Sequence, residues 1–371
     1  MENVIIPFIV LLIVLFVWEL FTKFKSIIKS LIILGIALVL FPIIFFIDIE
    51  AQTMDTEVWS GSIVDWKHKE EWDEWHPPVE NCTTDSKGNT KCTTTPGYWE
   101  HHYAENYIKT SDNGWIYVDK LPNGKAMDDS YPNSREELMK YWKKGTPTAS
   151  THIYQNKVQA SYSVFKHENI DLDDYKDLPE YPDKVRDELY IDRIVGTVPN
   201  KQESLKALAK WNTELNKFIE DPDNPGEKKS WKQVNLIFVN VGENKSEEYG
   251  FALQDKWEGG NKNDFVVSFS MNKDGKINWV YPFSWSEVEI LKLEVKDYMM
   301  SLDKVTDFKP IVEHVSVQVA EKFERKEFAE FSYLHVELSL FSKILIWVLS
   351  CILVLIRGIK QNKYGGLSLG F

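Results

Sequence analysis

A long apolar run near the start of the chain reads Leu31-Ile-Ile-Leu-Gly-Ile-Ala-Leu-Val-Leu-Phe-Pro-Ile-Ile-Phe-Phe-Ile47 and contains no charged residue. Another apolar run precedes it at residues 4–18, and a third lies near the other end of the chain at residues 338–356. A helix needs about 20 apolar residues to cross a bilayer. The sequence therefore predicts a transmembrane hairpin at residues 1–48 and a further transmembrane helix at residues 337–358.

Charged residues beside these runs bear on whether they span a membrane. A cleaved signal peptide has a basic start and a small-residue cleavage site. Here the chain begins Met1-Glu2, and Glu19 follows the first run, which favours a hairpin over the alternative of a signal peptide. Lys343 interrupts the third run, and the uncharged part after it is short for a span. A Lys near the interface can extend its ammonium group to the headgroups, so a third span is still expected.

The distribution of basic residues predicts the orientation of the spans. Lys23, Lys25 and Lys29 lie between the first two runs, and Arg357, Lys360 and Lys363 follow the third. Because basic loops stay in the cytoplasm, both segments are expected there. The sequence thus predicts a multi-pass protein of the cell inner membrane with a cytoplasmic C-terminus. The large region between the second and third spans is expected on the periplasmic or extracellular side.

The composition excludes several classes of protein. The chain has 43 Lys and Arg against 56 Asp and Glu, a formal net charge of −13. Nucleic acid is therefore not expected as a partner, since phosphate binding needs a basic surface. Aromatic residues make up 13% of the chain, which includes 14 Trp. A disordered acidic chain would lack them, and three cysteines are too few for a disulfide-dense scaffold.

Residues 49–148 combine aromatic residues with closely spaced turn residues, which predicts a β-rich domain. Cys82 and Cys92 flank a turn-rich loop in this region. In an oxidising compartment, two cysteines across a hairpin most simply form a disulfide. Free thiols are one alternative. The other is a Zn²⁺ site, although the paired Cys-x-x-Cys spacing of zinc ribbons is absent. Its ligands would be Cys82, Cys92, His101 and His102, with His68 and His76 as further candidates.

Residues 184–305 alternate apolar strands with amphipathic helices. The run Val234-Asn-Leu-Ile-Phe-Val-Asn-Val241 is typical of a strand buried on both faces. Further strands are predicted at residues 265–271 and 277–283, with helices of three-to-four-residue period between the strands. This order predicts an α/β sandwich with a partly parallel sheet. Residues 149–183 would connect it to the β-rich domain.

The chain after this sandwich is predicted to be one long helix at residues 306–336, because Ile311, Val315 and Val319 repeat at helical spacing. The helix would run directly into the third span, with a kink near Ser339 as the alternative. Residues 359–371 would form a basic cytoplasmic tail. The predicted fold class is therefore a membrane-anchored α+β protein. A transmembrane hairpin precedes its folded region, and a single transmembrane helix follows it.

Several segments resemble a known group of proteins. The chain resembles an uncharacterised membrane-protein family of tailed bacteriophages and prophages across residues 50–305. The resemblance is carried by Thr56-Glu-Val-Trp-Ser-Gly-Ser-Ile-Val, Lys232-Gln-Val-Asn-Leu-Ile-Phe-Val-Asn, Tyr249-Gly-Phe-Ala-Leu-Gln-Asp-Lys-Trp-Glu-Gly-Gly-Asn-Lys-Asn-Asp264-Phe-Val-Val and Ile277-Asn-Trp-Val. The segment around Trp257 and Asp264 also resembles the TPM domain, a membrane-tethered α/β module.

The TPM resemblance implies a site and an activity. Asp192 matches an Asp that precedes the first helix of such domains, and Asp264 matches one that precedes the second strand. Trp279-Val-Tyr-Pro-Phe283 stands where those domains carry a glycine-rich turn. TPM domains are associated with acid phosphatase activity and with the maintenance or assembly of membrane proteins.

Three aspartates are the candidate ion ligands of the sandwich. If Asp192, Asp255 and Asp264 converged at the carboxyl edge of the sheet, they would hold a hard cation such as Ca²⁺ or Mg²⁺. The alternative is that they cap helices and turns, as Asp commonly does. The sequence contains no motif of a P-loop, a dinucleotide site, a zinc protease or a serine hydrolase.

Two classes of function remain. The first is a non-enzymatic, membrane-anchored envelope protein whose outer region binds other envelope or phage components, in assembly, host-envelope modification or superinfection exclusion. The second is a membrane-tethered, metal-dependent phosphatase or hydrolase of TPM type. The binding class is favoured, and no cofactor is expected beyond the ions named above. The expected partners are the lipid bilayer, other membrane or envelope proteins, and further copies of the chain.

Overall fold

The computed structural model describes residues 2–24, 27–84, 86–88, 90–122, 125–127, 132–160, 167–182, 191–222, 224–326, 331, 333–334, 336–361 and 367–369. The chain forms two compact units. The membrane unit comprises residues 1–56, 153–166 and 327–371, and the body comprises residues 57–152 and 167–326.

The helices are α1 (Glu2–Phe21), α2 (Ile27–Thr53), α3 (Arg135–Tyr141), α4 (Lys157–Ala160), α5 (Lys201–Leu215), α6 (Glu248–Lys256), α7 (Glu289–Met300), α8 (Lys309–Lys322) and α9 (Leu340–Gly358). The strands of the first half are β1 (Met54–Lys69), β2 (Trp72–His76), β3 (Val79–Thr84), β4 (Thr90–Thr95), β5 (Tyr98–His102), β6 (Glu105–Thr110), β7 (Gly114–Tyr117) and β8 (Pro147–Gln155). Those of the second half are β9 (Ile194–Val195), β10 (Phe218–Glu220), β11 (Lys228–Ser230), β12 (Asn235–Asn240), β13 (Asp264–Met271), β14 (Ile277–Ser284), β15 (Ile359–Gln361) and β16 (Leu367–Leu369).

The membrane unit is built on α1, α2 and α9, each of which is long and apolar enough to cross a bilayer. The predicted two N-terminal spans and one C-terminal span are thus confirmed as helices of sufficient length and apolar composition. The three helices pack through one apolar cluster that includes Leu15, Phe41 and Ile346, while most of their remaining apolar side chains are exposed. Lys343 lies in the first turn of α9 and forms an ion pair with Glu337, so the charge stays at the end of the helix.

The first sheet of the body has the order β7-β6-β1-β8, and β6 is antiparallel to both β1 and β7. Trp66 and Ile63 on β1 pack with Ile108 on β6 and with Leu138 and Trp142, which lie on and just after α3. Trp66 is also fixed by a hydrogen bond from its indole Nε1 to the Trp142 carbonyl oxygen at 2.8 Å. The β-rich part of the body thus has a small core of its own.

The second sheet has the order β14-β13-β12-β9, with β9, β12 and β13 parallel and β14 antiparallel to β13. Side chains on β12 and β13 alternate between two cores. Phe238 and its neighbours face α5, α7 and α8, whereas Ile237 and its neighbours face α6 and the short helical turn at residues 172–175. Helices therefore cover both faces, which confirms the predicted mixed α/β sheet and its three longer strands.

The predicted long helix at residues 306–336 is wrong in its extent, because α8 ends at Lys322. Phe323 adopts an extended conformation and is buried in the α/β core. The next residues are held by backbone pairing, with a bridge between Arg325 and Ser286 and a hydrogen bond from Glu287 N to Glu324 O. These contacts stop the helix from continuing towards the third span. Residues 327–330 lie outside the described part of the chain.

The body also differs from the predicted division into domains. Residues 57–152 and 167–326 form one compact unit rather than a β-rich domain and a separate sandwich. The segment predicted as a connection begins within β8, and its later part packs on the sheet through Leu178. Within the predicted tail, β15 and β16 pair antiparallel.

Candidate functional site

The body carries a two-stranded ribbon, defined here as β2 to β5 (residues 72–102), which continues from the paired ends of β1 and β6. In the ribbon β2 pairs with β5, and beyond them β3 pairs with β4. Among the described residues, no third strand joins either pair. Because an isolated two-stranded ribbon is at best marginally stable in water, its own cross-strand contacts decide whether it holds its shape.

A disulfide closes the outer part of the ribbon. Cys82 on β3 lies directly opposite Cys92 on β4, and the two sulfur atoms are bonded. The predicted disulfide is confirmed. The Zn²⁺ site made of Cys82, Cys92, His101 and His102 is wrong, since bonded sulfurs cannot act as thiolate ligands. Its two histidines also lie on opposite faces of β5, because they are consecutive in a strand.

One face of the ribbon is an exposed aromatic surface. Trp75 and Trp99 are directly opposite each other, with ring centroids 5.2 Å apart. The Trp75 ring lies over the backbone of Gly97, so close that a Cβ at that position would sit 2.7 Å from the ring. Tyr103 follows on the same side and contacts the His101 ring edge to face. We call Trp75, Trp99, His101 and Tyr103 the aromatic face.

The other face of the ribbon combines histidines with carboxylates. Glu74 and Glu100 lie directly opposite each other in the middle of the β2–β5 pair. His76 stacks on Tyr98 at one end of this face, and His102 stacks on Trp72 at the other. His76 Nε2 is 2.8 Å from Glu100 Oε2, and His102 Nε2 is 3.1 Å from Glu74 Oε2. We call Glu74, His76, Glu100 and His102 the histidine–glutamate cluster.

Asp264, a candidate ion ligand, lies at the amino edge of the sheet rather than at its carboxyl edge. It is the first residue of β13, and Asn235 opposite it is the first residue of β12. Its carboxylate accepts hydrogen bonds from Asn235 Nδ2 at 2.9 Å, Tyr181 Oη at 3.0 Å and the Asn261 backbone N–H at 2.8 Å. Burial outweighs these donors and raises the pKa of Asp264 to about 7.

The other two candidate ligands have separate partners. Asp255 accepts from the backbone N–H of His167 at 3.0 Å and pairs with its ring at 2.6 Å. Asp192 accepts from the Ile194 N–H at 2.9 Å and forms an ion pair with Lys201 at 3.2 Å. Among the described His, Cys, Asp and Glu side chains, the groups close enough to share one metal ion do not include Asp192, Asp255 or Asp264. The predicted convergence of the three aspartates is therefore not observed, and the alternative of capping and turn roles describes these contacts.

A buried polar network was missed at the level of sequence. Arg193 donates to Asn235 and, through a terminal nitrogen, to Ser60 Oγ at 2.8 Å. Arg325 pairs through one terminal nitrogen with both oxygens of Glu57, at 2.8 and 2.9 Å. Ser60 and Glu57 belong to β1, Arg193 directly precedes β9, and Arg325 follows α8, so these contacts join the first sheet to the α/β part of the body. The partners are 133 and 268 residues apart in sequence, and no local pattern indicates such a pairing.

The enclosed aspartate and the exposed ribbon differ in what they can do. Asp264 is almost fully buried and its oxygens are occupied by its own donors, so it suits a structural role. The ribbon presents its side chains to solvent.

Comparisons of the chain with models of protein families, with curated proteins and with solved structures found no match. The ribbon is accordingly the candidate functional site.

Proposed function

We propose that the chain is a membrane-anchored binding protein whose aromatic face docks on another protein of the same membrane or envelope. The observation that carries this proposal is the exposure of Trp75 and Trp99, which remain 47% and 65% exposed although they pack against each other. Clustered exposed aromatic side chains are typical of interaction surfaces. Trp and Tyr are also enriched, together with Arg, among the residues that dominate the binding energy of protein interfaces.

The charge around the aromatic face indicates the chemistry of the partner. On the side of the ribbon that carries the aromatic face, the carboxylates of Asp73 and Glu71 lie beside the His101 ring. A rim of carboxylates around apolar anchors is complementary to a surface with basic residues around an apolar pocket. The acidic rim also disfavours nucleic acid and anionic lipid headgroups. A protein with a basic, pocketed surface fits these features best.

Two observations support an orientation with the body outside the cytoplasm. The first is the basic character of the segment between α1 and α2 and of the end of the chain after α9, which the positive-inside rule assigns to the cytoplasm. The second is the disulfide between Cys82 and Cys92, because disulfides persist in oxidising compartments. In this arrangement the protein is a multi-pass inner-membrane protein with a periplasmic or extracellular body and a cytoplasmic C-terminus.

The resemblance to tailed-phage and prophage membrane proteins supports a narrower role. A ribbon that binds a host-envelope component would serve host-envelope modification or superinfection exclusion. The TPM-type phosphatase is the weaker candidate, because its Asp192, Asp255 and Asp264 are engaged separately at the amino edge of the sheet and on α6. Assembly into homo-oligomers stays a prediction.

The proposal is tested in two steps with the full-length chain in cells that carry its partner. A photoreactive benzoylphenylalanine is placed at position 99, and the same group at Phe218 serves as the control, since Phe218 is also an exposed aromatic residue but lies in β10 outside the ribbon. We expect one protein to be cross-linked from position 99 and not from position 218. The identified protein is then purified, and its affinity for the chain in nanodiscs is measured.

The affinity measurement separates specific docking from incidental contact. We expect the Trp75→Ala/Trp99→Ala double variant to bind more weakly by more than about tenfold, because interface hot spots cost at least about 2 kcal/mol on truncation. Trp115→Ala is the matched variant, as Trp115 is exposed on β7 of the first sheet. Equal adducts from positions 99 and 218, or equal affinities for the two variants, would contradict the proposal.

A further inference from the structure

The histidine–glutamate cluster contains the donor atoms of a metal site. Glu74 Oε2, His76 Nε2 and Glu100 Oε2 lie close enough to one another to share one ion. His76 Nε2 is 2.8 Å from Glu100 Oε2 and 3.9 Å from Glu74 Oε2. His102 Nε2 stands 3.1 Å from that same Glu74 oxygen. From this geometry we propose that the ribbon binds one Zn²⁺ ion through Glu74, His76 and Glu100, with His102 beside the site in contact with Glu74.

The spacing of these atoms fits a tetrahedral ion. Zn²⁺ holds His nitrogen and carboxylate oxygen at about 2.0–2.2 Å, which places neighbouring donors of a tetrahedral site roughly 3.3 Å apart. The 2.8 and 3.9 Å separations around His76 Nε2 lie on either side of that value. Small side-chain rotations therefore suffice to admit the ion. The exposed position leaves room for a water molecule as the fourth ligand, while His102 stays stacked on Trp72.

The charge of the cluster calls for a cation. Glu74 and Glu100 face each other across the two strands, and like charges in directly opposed positions destabilise a strand pair. Within the described residues, the groups that form ion pairs with them are His76 and His102. A single divalent ion between the two carboxylates offsets both of their charges. The ion would thus turn an unfavourable cross-strand pair into a crosslink between β2 and β5.

The donor set selects the type of metal. Ca²⁺ prefers six to eight oxygen ligands and Mg²⁺ an octahedral oxygen shell, so a site with an imidazole ligand and two carboxylates favours Zn²⁺ over either of them. Thiolates are absent from the site because Cys82 and Cys92 are bonded to each other farther along the ribbon. The site is independent of the proposed docking function, since its side chains lie on the face opposite Trp75 and Trp99.

Isothermal titration of the purified full-length chain in nanodiscs with ZnCl₂ tests the site, with and without a chelator. We expect one Zn²⁺ per chain. His76→Ala and the isosteric Glu100→Gln should each weaken Zn²⁺ binding by more than about tenfold. Loss of a residue that only supports a zinc ligand already costs at least this much affinity, and these two residues are proposed as ligands themselves. His101→Ala is the matched control. His101 contacts Asp73 through Nδ1 and Glu71 through Nε2. These two carboxylates therefore lie at different ring nitrogens, whereas both carboxylates of the proposed site lie near the single Nε2 atom of His76.

Hydrogen exchange of the β2–β5 amides provides a second measurement. We expect Zn²⁺ to slow amide exchange in β2 and β5 of the wild type and of the His101→Ala variant. In the Glu100→Gln variant, whose side chain keeps its shape, Zn²⁺ should not change the exchange rate. Absence of Zn²⁺ binding by the wild type would overturn the proposal. An equal loss of affinity in His101→Ala and His76→Ala would do so as well, because it would indicate non-specific surface binding.

Discussion

Arg357 lies 338 residues after Glu19 in the sequence, yet its Nε atom is 3.1 Å from Glu19 Oε1. Ser30 donates to the same oxygen at 2.5 Å and accepts from Arg357 Nε at 2.9 Å. One buried contact therefore joins α1, α2 and the end of α9. A second polar contact, between Asp48 of α2 and the hydroxyl groups of Ser339 and Ser342, joins α2 to the start of α9. The two contacts fix the register of the three helices.

Loss of the Arg357 side chain should destabilise the membrane unit. We expect Arg357→Ala to lower its free energy of unfolding by about 3–5 kcal/mol, because it leaves the Glu19 carboxylate buried and unpaired. The measurement is detergent-induced unfolding of the purified chain, followed by circular dichroism. Glu19→Gln/Arg357→Met should recover most of the loss, since neither charge then remains. Lys343→Met is the control, because its partner Glu337 is largely exposed and exposed pairs contribute at most about 1 kcal/mol.

The buried Asp264 carboxyl should make the stability of the body depend on pH. Its pKa is raised from 3.8 to about 7 by burial. Between about pH 4 and pH 7, the carboxyl group is therefore protonated in the native state but ionised in the unfolded state. Stability conferred by the neutral carboxyl is present at low pH and is lost as the pH rises towards 7. A shift of this size corresponds to roughly 4 kcal/mol. We expect Asp264→Asn, which resembles the protonated form, to remove most of this dependence.

The Asp264 prediction is checked by urea unfolding of the full-length chain in nanodiscs between pH 4 and pH 8, followed by tryptophan fluorescence. Asp274→Asn serves as the control, because Asp274 lies in the exposed turn between β13 and β14. Parallel pH profiles for wild type and Asp264→Asn would show that another group carries the dependence.

Gly97 should be required for the packing of the aromatic face. A Cβ at this position would lie 2.7 Å from the Trp75 ring and 2.8 Å from the His76 carbonyl oxygen. We therefore expect Gly97→Ala to displace the indole and to remove the roughly 0.5–1.5 kcal/mol of the Trp75–Trp99 contact. The near-ultraviolet circular dichroism of the coupled indoles reports the change. Thr93→Ala, at an exposed position on β4, should leave the spectrum as in the wild type.

Removal of the disulfide should open the tip of the ribbon without unfolding the body. The bond closes a loop with a sequence separation of 10 residues, for which the loss of stabilisation is about 2–3 kcal/mol. We expect Cys82→Ser/Cys92→Ser to raise hydrogen exchange in β3 and β4 while β12 and β13 stay protected. Cys351→Ser is the control. Loss of protection throughout the second sheet would contradict the view that the ribbon folds on its own contacts.

The sequence predicted the elements that follow from local patterns. The three membrane helices come from apolar length, and β12 to β14 come from apolar runs between helical periods. The Cys82–Cys92 pair follows from two cysteines flanking a turn. Each depends on residues close in the chain, where period and length carry the information.

The features that were missed depend on distant residues. The end of α8 at Lys322 is set by pairing of Arg325 with Ser286 and with Glu57, which no helical period reveals. The three aspartates were expected at the carboxyl edge of the sheet because such edges commonly hold ligands, whereas strand order places Asp264 at the amino edge. The histidine–glutamate cluster required the register of β2 with β5, which pairs Glu74 with Glu100.

The claim that the ribbon faces away from the cytoplasm is tested most directly by cysteine labelling in intact spheroplasts. After reduction, a membrane-impermeant polyethylene-glycol maleimide is applied to a Cys351→Ser chain. A second variant reports on the C-terminal segment. It carries a single cysteine through Ser368→Cys, and its native cysteines are removed by Cys82→Ser, Cys92→Ser and Cys351→Ser. We predict that Cys82 and Cys92 are labelled in intact spheroplasts and that position 368 is labelled only after lysis. Labelling of position 368 in intact spheroplasts, with Cys82 and Cys92 protected until lysis, would contradict the orientation and place the ribbon and its partner inside the cell.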